Sequence, residues 1–294
     1  MAGLLARVRS RLFIRSTHRS MHPLDGAYAS LHHGRSLDVE DLREYQPGDE
    51  VRDIDWKATA RYGEPFVKRM RTTRRHTVLL AVDSSASMRA LAEDDTPKRD
   101  LAILITGALG LLAVRHGDEV AIVHGDAGGI RRERPTSGES GLERALRAVD
   151  AAMATSQHHG DRPGLLDAVV RSVSRRMIMV VVTDEAPVTA DEERLIRRLR
   201  VQHDLLWVTI RDGAPVLESD SARPRVDVDS AWQVPAFLHG DREVLAEIRA
   251  MRDAEDTRRR ELFDRVAVSH AEIGGRDDAV AGLLAMLERR SHVG

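Results

Sequence analysis

The chain has 294 residues, with 45 Lys and Arg against 47 Asp and Glu and a formal net charge of −2; that balance calls for no polyanion partner. Hydrophobic residues make up 42% of it but aromatics only 3%, so a core of ordinary size must be built from Leu, Val, Ile and Ala. Cysteine is absent, which excludes disulfides, thiol catalysis and Cys-ligated zinc and fits a reducing cytoplasm.

The N-terminal MAGLLARVRSRLFIRS is basic and lacks a continuous apolar core of signal-peptide length. Residues 2–14 read as a surface helix, with a helix lying on a membrane surface as the alternative. SLDVEDLREY (36–45) reads as a short helix capped by Ser36, QPGDE (46–50) as a turn, and PFVKRMRTT (65–73) as a strand. From residue 76 the pattern alternates. TVLLAVD (77–83) is a predicted strand, followed by a helix over 97–117 with Pro at its start and Gly at its end. That helix holds the most apolar run, LAILITGALGLLAV (101–114), which is too short to cross a bilayer and reads as a buried helix.

EVAIVHG (119–125) and GIRRERP (129–135), separated by DAG, read as a hairpin. Helices follow over 140–154 and 164–176, then the strand MIMVVVTD (177–184), a helix over 190–202 and the strand DLLWVTIRD (204–212). A long helix over 241–266, a strand over 266–273 and a helix over 277–291 complete the chain. Continuous apolar strands alternating with helices predict an α/β fold, a doubly wound and mostly parallel sheet covered on both faces. In such sheets ligands bind at the carboxyl ends of the strands. Asp83 and Asp184 stand at two such ends.

The loop after the first of these strands reads AVDSSASM (81–88). Asp83 with Ser85 and Ser87 supplies a carboxylate and two hydroxyls, hard oxygens of the kind that bind Mg²⁺, and Asp184 supplies a second carboxylate. The competing reading is structural: Ser85 or Ser87 caps the next helix and Asp83 accepts from loop amides. Phosphoryl transfer onto Asp83 would call for a second acid two residues on, where the chain has Ser85.

Upstream, GDEVRDIDWK (48–57) gathers Asp49, Glu50, Arg52, Asp53, Asp55, Trp56 and Lys57. Asp53, Asp55 and Lys57 have the acid-x-Lys character of a Mg²⁺-dependent nuclease. The plainer reading is a structural knot of paired Asp and Arg side chains, with Trp56 anchoring the front segment on the body. RMRTTRRH (69–76) is basic but has no aromatic side chain to stack on bases, and reads as a charged strand edge. The His32-His33 and His158-His159 pairs read as loop histidines. The chain has no Gly-rich phosphate loop and no nucleophile elbow. Charge is uneven: residues 1–76 carry 15 Lys and Arg against 10 Asp and Glu, the remainder 30 against 37, which suits an internal docking interface as well as a partner site.

LREYQPGDEVRDIDWKATAR, with VDSSASM following at the same spacing, closely resembles the DUF58 family of bacterial proteins. The resemblance is strong over 35–90 and continues by pattern to 212. It implies a von Willebrand factor A-like (Rossmann-like) body over 76–294 with an N-terminal DUF58-type extension over 1–75. Asp83, Ser85 and Ser87 match the first part of a metal-ion-dependent adhesion site, and Asp184 its later aspartate. Where that site has Thr, the segment HHGDRPGLLDAV (158–169) has Pro163, with Asp161 as the nearby substitute. The resemblance further implies a cytoplasmic adaptor, not an enzyme, with no nucleic acid and no stable membrane insertion. It would work with a MoxR-type AAA+ ATPase on protein clients, with Mg²⁺ or another divalent cation at the site. The alternative is a Mg²⁺-dependent phosphoester hydrolase or nuclease, using Asp53, Asp55 and Lys57 or using Asp83 and Asp184.

Overall fold

The computed structural model describes residues 3–14, 24–28, 41–46, 54–69, 76–173, 175–216, 226–228, 232–233 and 235–291. The three most apolar stretches of the body become β3 (Thr77–Asp83), β6 (Ile178–Asp184) and β7 (Asp204–Ile210), buried throughout except at Asp184. With β4 (Glu119–Asp126), β5 (Gly129–Arg132) and β8 (Ser269–Ile273) they form a six-stranded sheet in the order β5-β4-β3-β6-β7-β8. All neighbours are parallel except β5, which folds back on β4 across Ala127-Gly128. The expected doubly wound, mostly parallel α/β sheet is therefore present.

The apolar runs are continuous because each strand serves two cores. Val78, Leu80 and Val82 face one side, with α1 (Leu4–Ile14), α3 (Lys98–Arg115), α4 (Glu139–Thr155) and α8 (Ala279–Ser291). Leu79 and Ala81 face the other, with α5 (Arg162–Ser172), α6 (Ala190–Gln202) and α7 (Arg242–Arg265). The second core holds the rings of Trp207 and Phe263, tilted by 39° with centroids 5.2 Å apart. Helix α3 is buried at nearly every position, which is why its sequence is apolar all round; Gly117, at φ 81°, lets the chain turn away after it. No helix among the described residues is long and apolar enough to cross a membrane.

Helix α1 is docked on the body. Leu4, Leu5, Val8 and Leu12 are buried in the first core, and the Glu143 carboxylate accepts from the Leu4 and Leu5 amides at 2.9 and 2.7 Å. Its apolar face is thus covered by protein, where a membrane-surface helix would present it outward. A Cβ at Gly107 would lie 2.9 Å from Val8 Cγ2, so the α1–α3 contact requires a residue without a side chain.

In the front segment, β1 (Asp41–Glu44) pairs antiparallel with β2 (Phe66–Arg69). This corrects the helix expected over 36–45: pairing with β2 overrides a local sequence that is compatible with helix. Ser36 and residues 47–50 of the expected turn lie outside the described residues. A short helix, α2 (Trp56–Tyr62), precedes β2.

Candidate functional site

The chain leaves β3 toward β4 on one side and later returns to β6 on the other. The strand order therefore reverses between β3 and β6, and a crevice opens at their carboxyl ends. Asp83 ends β3 and Asp184 ends β6, so the fold places both carboxylates at that crevice.

Asp83 is 2% exposed, and its Oδ1 accepts from the Ser85 amide at 2.8 Å. That bond turns the chain into a 3₁₀ turn, Ala86–Arg89, held also by the Ala86 amide donating to the His158 carbonyl at 2.9 Å. Ser85 stands at the head of the turn, but its hydroxyl makes no capping bond. Instead Ser85 Oγ lies 3.0 Å from Ser87 Oγ, and Ser87 Oγ donates to Asp184 Oδ2 at 2.7 Å. Asp184 Oδ1 accepts from the Ala186 amide at 3.2 Å. The four residues singled out in the sequence form one chain of contacts. The structural reading survives for Asp83, which does accept a loop amide, and fails for the serine hydroxyls.

The two carboxylates differ in their protons. Burial, and then the charge of Asp184, push Asp83 up to about 6. Asp184 is only partly buried, and Lys98, the Ser87 hydroxyl and Arg162 together outweigh that burial and hold it below the ordinary carboxylate range.

Two buried cations missed in the sequence set this contrast. Arg162, first residue of α5, lies 3.9 Å from Asp184 Oδ1. Its Nε donates to Glu192 Oε1 at 2.6 Å, and its other nitrogens donate to the Ala186 and Pro187 carbonyls at 2.7 and 2.6 Å. Glu192 in turn completes a capping box at the start of α6 with Thr189. Lys98, first residue of α3 and 1% exposed, pairs with Asp212. Burial raises the Asp212 carboxyl in spite of that partner.

Pro163 sits in the first turn of α5, where its missing N–H costs nothing. Asp161 caps that helix, accepting from the Gly164 amide at 2.9 Å, so its carboxylate already has a structural task. The helix accordingly begins at Arg162 and ends at Ser172, earlier at both ends than expected. Gly160 closes over the cluster: a Cβ there would lie 3.2 Å from Asp83 Oδ2 and 3.5 Å from Ser85 Oγ.

Asp83, Ser85, Ser87 and Asp184 bring together two carboxylates and two hydroxyls, donor types that Mg²⁺ takes, next to the Arg162 and Lys98 cations, whose charge opposes a further cation. Pro163 adds no oxygen, so water and a partner would supply the remainder of a Mg²⁺ shell. No group of three or more His, Asp and Glu side chains positioned to hold a metal occurs among the described residues.

The described residues of the front motif, Asp55, Trp56 and Lys57, do not join this site. Asp55 caps α2, accepting from the Lys57 and Ala58 amides at 2.9 and 3.0 Å. Trp56 is 66% exposed, which corrects its expected role as an anchor buried on the body: the first position of α2 points it to solvent. Lys57 is exposed. Arg52 and Asp53 lie outside the described residues, as do His32, His33 and residues 70–75.

The family model described as "Protein of unknown function DUF58" matches residues 41–217. Uncharacterized proteins of Mycobacterium bovis and of two Mycobacterium tuberculosis strains are 29% identical over 198 residues, which is 66% of this chain. The chain spans about 61% of the length of these curated relatives. Among solved structures, an aerotolerance-related membrane protein from Bacteroides fragilis is 16% identical with a TM-score of 0.43, over 73% of this chain and 99% of that one. A von Willebrand factor type A structure from Catenulispora acidiphila is 14% identical with a TM-score of 0.38, over 74% of this chain and 43% of that one.

Proposed function

We propose, from the premise that this chain belongs to the DUF58 family, that it is a von Willebrand factor A-like binding protein and not an enzyme. It captures a carboxylate of a partner protein at the crevice between β3 and β6. It acts in the cytoplasm beside a MoxR-type AAA+ ATPase, in the assembly or maturation of client proteins.

One observation carries this reading: the contiguous contacts Asp83–Ser85–Ser87–Asp184 at the point where strand order reverses. Asp83, Ser85 and Ser87 would hold a divalent cation directly, with Asp184 bound directly or through water. A bound cation supplies an open coordination position that accepts an Asp or Glu side chain. The protein's own part is positional. The Asp83–Ser85 amide bond fixes the turn, Ser87 joins it to β6, and Arg162 pins the loop after Asp184. The clearest argument for phosphoester hydrolysis instead is that burial and the charge of Asp184 raise the Asp83 carboxyl while Lys98, Ser87 and Arg162 lower that of Asp184, a divergence that acid–base catalysis also uses.

Calorimetric titration of Mg²⁺ and Mn²⁺ into wild type and Asp83→Ala tests the reading. Saturable binding in wild type, lost in the variant, is the expected result, with no turnover of generic phosphodiester or phosphomonoester substrates. Turnover abolished by Asp83→Ala would overturn the adaptor assignment.

A further inference from the structure

Arg162 is pinned beside the Asp83–Asp184 cluster. Its Nε donates to Glu192 Oε1 at 2.6 Å and its Nη1 to the Ala186 carbonyl at 2.7 Å. Its Nη2 donates to the Pro187 carbonyl at 2.6 Å and reaches Glu192 Oε2 at 3.4 Å. The Arg162 side chain is 8% exposed and that of Glu192 2%. From this position Nη1 stands 3.9 Å from Asp184 Oδ1. A cation on a long surface side chain would swing aside or be screened by salt when a metal ion approached. Arg162 does neither, because moving it strands a buried carboxylate and two carbonyls. Of the two charges in the pair, the guanidinium is the one that reaches the site: Arg162 lowers the Asp184 carboxyl, and Glu192 is not among the main groups that act on it.

We infer that Arg162, locked by Glu192, sets how tightly this site holds a divalent cation, and that it limits the affinity more than the missing oxygen at Pro163 does. The inference rests on the cation-binding reading for what occupies the site. The two weaknesses differ in kind. Mg²⁺ keeps several waters in its shell, so a water replaces the hydroxyl that Pro163 lacks at small cost. No solvent molecule cancels a fixed positive charge 3.9 Å from a ligand carboxylate, where the effective dielectric is well below that of water. A site weakened in this way exchanges its cation, and its occupancy follows the free cation concentration.

The test is calorimetric titration of Mg²⁺ and of Mn²⁺ into the full chain, as wild type, Arg162→Met with Glu192→Leu, Glu192→Gln and Pro163→Thr, each first shown to be folded by urea titration. The double variant removes the charge together with its buried counter-charge and is expected to bind about tenfold or more tightly. Glu192→Gln keeps the shape of the side chain but leaves Arg162 uncompensated, and is expected to bind more weakly than wild type. Opposite shifts from one ion pair are not what loss of a merely structural contact produces, and Glu192→Gln still reads the charge if the double variant does not fold. Pro163→Thr is expected to tighten binding clearly less than the double variant. Affinities of both pair variants equal to wild type, or a larger gain from Pro163→Thr than from the double variant, would overturn the inference and leave the cation site standing. Binding seen in the double variant alone supports the inference and sinks cation capture by the native chain. Absence of binding in every variant sinks both.

Discussion

Ser87 Oγ donates to Asp184 Oδ2 at 2.7 Å, joining two loops 97 residues apart in the chain. The same hydroxyl lies 3.0 Å from Ser85 Oγ, so Ser87 is the hub between the β3 turn and the end of β6. Ser87→Ala removes a bond to a carboxylate, worth about 1.5 kcal/mol at a partly buried site. The variant is expected to unfold at lower urea and to bind Mg²⁺ more weakly than wild type. An unchanged midpoint and an unchanged titration together would show that the bond organises nothing.

Arg162 and Glu192 are an ion pair in the interior, with side chains 8% and 2% exposed. Removing one member leaves the other buried and uncompensated. Arg162→Ala is therefore expected to cost about 3–5 kcal/mol, a larger loss than truncation of any exposed arginine on α6. The double variant Arg162→Met with Glu192→Leu is expected to recover most of that loss, since apolar replacement of a whole buried pair is often neutral. A double-mutant cycle in urea reads both numbers. A loss under about 1 kcal/mol for Arg162→Ala, the size found for exposed pairs, would refute the account.

The sheet was legible because strands buried on both faces lose the alternation of a half-exposed strand and read as unbroken apolar runs. TVLLAVD and MIMVVVTD show this, and each ends in the carboxylate that the switch point then uses. Arg162 was not legible from its neighbours, because its partners Ala186, Pro187 and Glu192 lie 24, 25 and 30 residues away. A local signal did exist. Lys98 and Arg162 are both basic residues at the first position of a helix, the wrong end of the macrodipole for a cation. Such a placement indicates a partner elsewhere, and Asp212 and Glu192 are those partners. The helix expected over 36–45 failed for the opposite reason: Asp41–Glu44 takes its conformation from β2, whose paired residues lie 22 (Glu44 to Phe66) to 28 (Asp41 to Arg69) positions downstream, and short segments follow such pairing.

His203 closes α6 at 1% exposure, and neither ring nitrogen has a hydrogen-bond partner among the described residues. Burial, and then the charge of Arg176, depress its pKa below the ordinary 6.5. The unfolded chain therefore takes up this proton first as pH falls. The stability that neutral His203 allows is fully present above about 6.5 and is lost as pH drops through that value toward the folded pKa. His124 and His270 are depressed by burial in the same direction, whereas the raised carboxyl of Asp83 acts in the opposite one. The absolute slope thus mixes several groups, and the difference between two variants isolates one. His203→Leu keeps the site apolar and removes the titration. Its unfolding free energy is expected to fall less than that of wild type between pH 7 and pH 5, with the two profiles converging in shape above pH 7. Parallel profiles across the whole range would mean that His203 carries its proton in the folded protein as readily as in the unfolded chain.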